Sequence, residues 1–133
     1  MYVAGAKEKG KKVQMRGVRV DDILQGPIDV IKMDIEGHEP AGINGMQCII
    51  AENRPIILSE INEYWLRTCS NSNGNKYINQ LDSLGYDLYN IDCIENGIIS
   101  SSLTFDILES KDVLALPKGV RYPELSNANK STK

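Results

Sequence analysis

The chain has 133 residues, of which 41% are hydrophobic and 25% charged, which fits one small globular domain with a real core. Its formal charge of −3 argues against a nucleic-acid binder, which carries a clear basic excess, and no apolar run approaches the roughly 20 residues of a membrane helix. Three cysteines, Cys48, Cys69 and Cys93, form no CxxC pair and are odd in number, so reduced thiols are expected, and with no signal-peptide core the expected location is the cytoplasm.

Residues 1–17 are rich in glycine and lysine and lack a period. A flexible N-terminal arm is expected there, with "KEKGKK" (7–12) as a solvated loop. "VRVDDIL" (18–24) reads as a short strand running into a turn, and Gly26-Pro27 breaks the chain. "IDVIKMDI" (28–35) is β-branched and reads as a buried strand. Pro40 suits a first helical turn, and Ile43, Met46, Ile49 and Ile50 recur at helical spacing. The pattern predicts a helix over 39–52 that Gly42 and Gly45 weaken or split.

"RPIILSEI" (54–61) is a second buried strand. The stretch "NEYWLRTCSNSNGN" is polar, with a loop expected at 70–75. Tyr77, Ile78, Leu81 and Leu84 then mark an amphipathic helix stopped by Gly85. "YDLYNI" (86–91) is a third strand, 95–102 a loop, and "TFDILES" is ambiguous between helical turn and strand. "DVLALP" (112–117) is the last strand, and the tail from 119 to 133 is expected to be disordered. Strands alternating with helices predict an α/β fold with a mainly parallel sheet. The last two strands have no long helix between them and are expected to be antiparallel.

Chemistry gathers in "KMDIEGHEP" (32–40), where Asp34, Glu36, His38 and Glu39 follow the second strand. In open α/β sheets ligands bind outside the carboxyl ends of the strands. Strand period puts Lys32 and Asp34 on one face, and Leu58 and Glu60 on one face of the next strand. If the two strands are parallel neighbours, Asp34 and Glu60 meet at one rim, with Lys32 one pleat below. Two other readings stay open. The acids can belong to a turn and a helix N-terminus, where the helix dipole favours them. The same cluster resembles a hard-metal site of carboxylates and one imidazole. Gly37 reads as a turn position with unusual backbone angles. Neither GxGxxG nor a P-loop nor a GxSxG elbow is present.

Together, Asp21 and Asp22, then Asp29, Lys32, Asp34, Glu36, Gly37 and Glu39, then Gly45 and Met46, then Arg54, Pro55 and Glu60 resemble the C-terminal half of FkbM-type methyltransferases. The likeness covers about residues 18–118, including "LDSLGYDLY" and "KDVLALPK". It implies a partial Rossmann-like methyltransferase sheet, mainly parallel with an antiparallel last strand. It also implies S-adenosylmethionine as cofactor and O-methylation of a hydroxyl on a small-molecule or glycan acceptor. Asp34, Glu36 and Glu60 are the catalytic candidates it implies, and Asp34 and Glu36 those facing the cofactor; no residue is assigned to a metal. His38 is a plausible base by its ordinary pKa but lies outside the matching pattern.

The family's glycine-rich loop and ribose-binding acid belong to a preceding half, and this sequence contains neither. The isolated chain is therefore expected to be incomplete or inactive. Its expected partners are a separate chain carrying the missing half, or its own kind through an exposed sheet edge. A non-catalytic remnant or interaction domain of the same fold, and a small acidic metal-binding domain, are the alternatives.

Overall fold

The computed structural model describes residues 14–91 and 110–120. Four strands, β1 (Val30–Met33), β2 (Ile56–Asn62), β3 (Tyr86–Asn90) and β4 (Ser110–Pro117), form one sheet in the order β1-β2-β4-β3. β1 and β2 are parallel, joined through the helices α1 (Glu39–Asn44) and α2 (Gln47–Asn53). β2 leads through α3 (Glu63–Ser70) and α4 (Gly74–Ser83) to β3. β4 returns between β2 and β3 and is antiparallel to both. The parallel neighbours and the antiparallel last strand are as the sequence predicts.

Alternation along β2 explains the layering. Ile57, Ser59 and Ile61 are buried, whereas Ile56, Leu58 and Glu60 are half-buried. The Ser59 hydroxyl shares a 3.1 Å hydrogen bond with the Tyr77 hydroxyl of α4, so the helices lie on the Ser59 face. Ile43, Ile50, Leu66, Tyr77 and Leu81 from the four helices close over Ile57, Ile61, Tyr86 and Val113 of the sheet. Burial drives the Tyr77 hydroxyl far above its ordinary pKa.

Three expectations need correction. Residues 18–24 are not a strand: Val20–Asp22 form a 3-10 helical turn. Its Asp21 carboxylate accepts the Cys48 N–H at 3.1 Å and the Ile49 N–H at 3.1 Å, capping α2 from outside the helix. Desolvation works to raise the Asp21 carboxyl, but those two N–H groups and Arg19 outweigh it, and its pKa lies below the ordinary value. Next, the polar stretch after β2 contains a helix, α3, that its sparse apolar pattern hides. Asn62 caps it by accepting the Trp65 N–H, and the buried Glu63 accepts from Arg67 and from the Gly74 N–H that opens α4. Finally, α4 begins at Gly74, inside the expected 70–75 loop, with Asn73 accepting the Lys76 N–H.

The expected 39–52 helix does divide, at Gly45 and Met46. Gly42 stays inside α1, where an added Cβ would meet Ile35 Cδ1 at 3.1 Å. Cys48 and Cys69 are free. Among the described residues no helix is long and apolar enough to cross a membrane. The body of the expected N-terminal arm, the 95–102 loop, most of "TFDILES", Cys93 and most of the expected tail lie outside the described residues.

Candidate functional site

β1 ends at Met33, and the chain turns sharply over the next five residues. Glu36 and Gly37 both have positive φ, +52° and +86°. Gly37 is required twice over: its φ disfavours a side chain, and a Cβ would lie 2.3 Å from the carbonyl carbon and oxygen of Trp65. Glu39 is buried and fastens the turn from the first position of α1. Its Oε1 accepts the Ile35 N–H at 3.1 Å and the Gly37 N–H at 3.2 Å, while Oε2 is buried with no hydrogen-bond partner among the described residues. The Ser70 hydroxyl donates to the Gly37 carbonyl and ties the turn to the end of α3.

This geometry separates the acids that the sequence offers as one cluster. Glu39 faces inward and holds backbone. Asp34 and Glu36 are exposed on the solvent side. Lys32 Nζ lies 3.2 Å from Asp34 Oδ2, the neutralising pair expected from strand period. The register Lys32↔Leu58 and Met33↔Ser59, carried one residue on, sets Asp34 level with Glu60. Both stand on the face away from the helices. β2 runs on to Asn62, so Glu60 lies within the strand and not at its last residue. Glu36, turned by its positive φ, follows the end of β1.

The return of β4 adds two residues the sequence reading did not include. Asp112 is the cross-strand partner of Glu60, and the Ser110 hydroxyl donates to Glu60 Oε1 at 2.5 Å. No feature of the sequence alone points to this arrangement, because it depends on β4 entering between β2 and β3. Among the described residues no group of three or more His, Cys, Asp or Glu side chains is placed to hold a metal ion. His38 is half-buried at the N-terminus of α1, its Nδ1 3.2 Å from the Ile35 carbonyl oxygen, and it lines a cleft with Arg19, Val20 and Gly42.

The "RP" pair after α2 is a fastening. Arg54 takes a left-handed φ of +49° and sends a two-pronged bond to the turn between α4 and β3. Its Nη1 and Nη2 donate to the carbonyls of Leu84 and Gly85, each at 2.6 Å, and its guanidinium stacks 4.8 Å above the Tyr86 ring. The Tyr86 hydroxyl donates in return to the Pro55 carbonyl at 2.9 Å.

The family model described as the methyltransferase FkbM domain matches residues 3–88, well over half of the sequence. The chain belongs to the FkbM methyltransferase family. The match takes in β1, β2 and α1 to α4, begins nearer the N-terminus than the resemblance drawn from motifs, and stops at Leu88 inside β3, before β4. No curated protein matches the chain, and no solved structure does. Among the positions that resemble the FkbM pattern, Asp21, Gly37, Glu39 and Arg54 hold backbone in place, while Asp34 and Glu36 are exposed and Glu60 is half-buried within β2.

Proposed function

We propose that these residues form the acceptor-side wall of an S-adenosylmethionine-dependent O-methyltransferase with a partial Rossmann-like sheet. The observation that carries the reading is the alignment of Asp34 and Glu60 on neighbouring parallel strands, on the sheet face away from the helices. S-adenosylmethionine would supply the electrophilic methyl group. The chain's own contribution is acid–base and positional: Asp34 or Glu60 accepts the proton of an acceptor hydroxyl and holds its oxygen in line, with Glu36 beside them. Ser110 donates to Glu60, and Lys32 offsets the charge of Asp34. The acceptor class these groups suit is a hydroxyl-bearing small molecule or glycan.

The fit to the cofactor is one-sided. Exposed carboxylates at Asp34 and Glu36 suit a cationic sulfonium, but these residues include no glycine-rich loop for its amino-acid end and no acid for its ribose. Exposed ion pairs contribute about 0–1 kcal/mol, against the roughly 8 kcal/mol of micromolar affinity. Backbone-amide NMR with S-adenosylmethionine tests this. Weak, non-saturating shifts centred on Asp34, Glu36 and Glu60 are expected, removed by Asp34→Asn with Glu60→Gln. Micromolar binding, or shifts centred on the α4–β3 cleft around Asn79 and Asp87 instead, would overturn the assignment.

A further inference from the structure

Three residues other than glycine have positive φ among the described residues: Glu36, Arg54 and Asn71. Two of them are accounted for. Asn71 closes α3, its N–H bonded to the Leu66 carbonyl, and asparagine tolerates left-handed backbone. Arg54 closes α2 and from there reaches the Leu84 and Gly85 carbonyls. Glu36 ends no helix. It and Gly37, at +52° and +86°, are the central pair of a turn that the His38 N–H closes on the Ile35 carbonyl at 3.2 Å. Two consecutive positive φ values are the type I′ pattern, which favours Asn, Asp or Gly at its central positions. A glutamate at the first goes against that preference, and the fold imposes it from outside. Glu39 Oε1 takes the N–H on either side of Glu36, those of Ile35 and Gly37, and the Ser70 hydroxyl donates to the Gly37 carbonyl. The Glu36 side chain itself is exposed.

We infer that Glu39 is a positioning residue for Glu36. By holding both flanking N–H groups on one carboxylate oxygen, it keeps a glutamate in a backbone state that glutamate disfavours, and so fixes where the Glu36 carboxylate stands. The inference rests on the function proposed above, in which that exposed carboxylate suits the methyl donor's sulfonium. Asp34 needs no such device, since it follows β1 directly and has Lys32 beside it at 3.2 Å. What Glu39 supplies is reach and not charge. From the first position of α1 its side chain spans back to N–H groups two and four residues earlier, and an aspartate, one methylene shorter, falls short of taking both. Oε2 is buried with no hydrogen-bond partner among the described residues, so an amide group in its place breaks no bond. Glutamine at position 39 therefore keeps the one acceptor that the turn uses.

NMR of the full chain, with S-adenosylmethionine as the probe, tests this. A positive φ brings a residue's own N–H and Cα–H close together. Glu36 should therefore give a strong intraresidue cross-peak in the unaltered chain and in Glu39→Gln, and lose it in Glu39→Asp. The shift that S-adenosylmethionine induces at Glu36, taken relative to that at Asp34, should follow: kept in Glu39→Gln, and down about threefold or more in Glu39→Asp. A role in stability alone would lower the urea midpoint and leave that ratio unmoved, and a role for charge would reverse the order of the two variants. Glu36→Asn gives the turn a residue it prefers and should raise the urea midpoint. Circular dichroism checks each fold; if Glu39→Asp fails to fold, Glu39→Gln and Glu36→Asn decide. A cross-peak that survives Glu39→Asp, one that is lost in Glu39→Gln, a ratio that does not move with the cross-peak, or a lowered midpoint in Glu36→Asn would each overturn the inference. Cross-peaks that behave as stated with no S-adenosylmethionine shift at Glu36 would instead sink the proposed function, and the positioning role with it.

Discussion

Gly37 and Gly119 offer a measurement of how tightly the turn after β1 is clamped. Their φ angles are nearly equal, +86° and +82°, so replacing either by alanine carries the same backbone penalty, about 1–2 kcal/mol for a left-handed non-glycine residue. Their surroundings differ. Among the described residues nothing lies within 4 Å of a Cβ at Gly119, whereas at Gly37 the Cβ would stand 2.3 Å from the carbonyl carbon and oxygen of Trp65 and 2.8 Å from the Leu66 nitrogen. Those are backbone atoms inside α3 and cannot swing aside as a side chain does. Either the turn or the helix must shift, at the roughly 1–3 kcal/mol typical of overpacking. Gly37→Ala should therefore lose about 2–5 kcal/mol, and Gly119→Ala only about 1–2. Urea unfolding followed by circular dichroism resolves the two, because at ~2 kcal/mol per molar urea the extra loss moves the midpoint by about 0.5–1.5 M. Equal midpoints for the two variants would refute the claim that α3 clamps the turn.

The other predictions concern the fastenings. Arg54→Lys keeps the charge but loses the two-pronged bond to the Leu84 and Gly85 carbonyls and the stack on Tyr86, and should cost about 1–3 kcal/mol in the same assay; a loss below about 0.5 kcal/mol would make the fork ornamental. For Asp21 the sign follows from a folded pKa below the ordinary 3.8. Its stabilisation is fully present above 3.8 and is lost as pH falls through the lower folded value. Asp21→Asn should thus be less stable than the parent at neutral pH, and the gap should close as melts are taken below pH 3.8. A gap that widens on acidification contradicts the cap.

Local rules reached the elements whose stability is local. β1 and β2 were readable because β-branched runs between turn signals have few other uses, and α4 because its apolar residues recur at 3.6 spacing. The 18–24 segment misleads for a tertiary reason. Its alternating Val-Arg-Val suits a strand, but Asp21 is needed at the start of α2, 27 residues away, and the chain bends to bring it there. Likewise α3 offers Trp65 and Leu66 but few other apolar residues. Its stability comes from polar groups satisfied at a distance, above all the buried Glu63 bonded to the Gly74 N–H. Strand period alone placed Asp34 and Glu60 on a common face, whereas Asp112 and Ser110 join them only through the crossing order of the sheet, which period does not encode.

The charge-dense turn after β1 resolves into two kinds of acid with opposite environments. Glu39 is buried, bonded to the N–H groups of Ile35 and Gly37, and works on the backbone. That is why the turn can be tight enough for Gly37 to touch the Trp65 backbone. Asp34 and Glu36 gain little from the fold in return: one has a single exposed lysine, the other a left-handed backbone that costs about 1–2 kcal/mol for a non-glycine residue. Glu60 faces Asp112 across the strand pair and accepts from the Ser110 hydroxyl. Glu39 and Gly37 thus hold the turn from the inside, while Asp34 and Glu36 stand on its solvent side and Glu60 lies level with Asp34 inside β2.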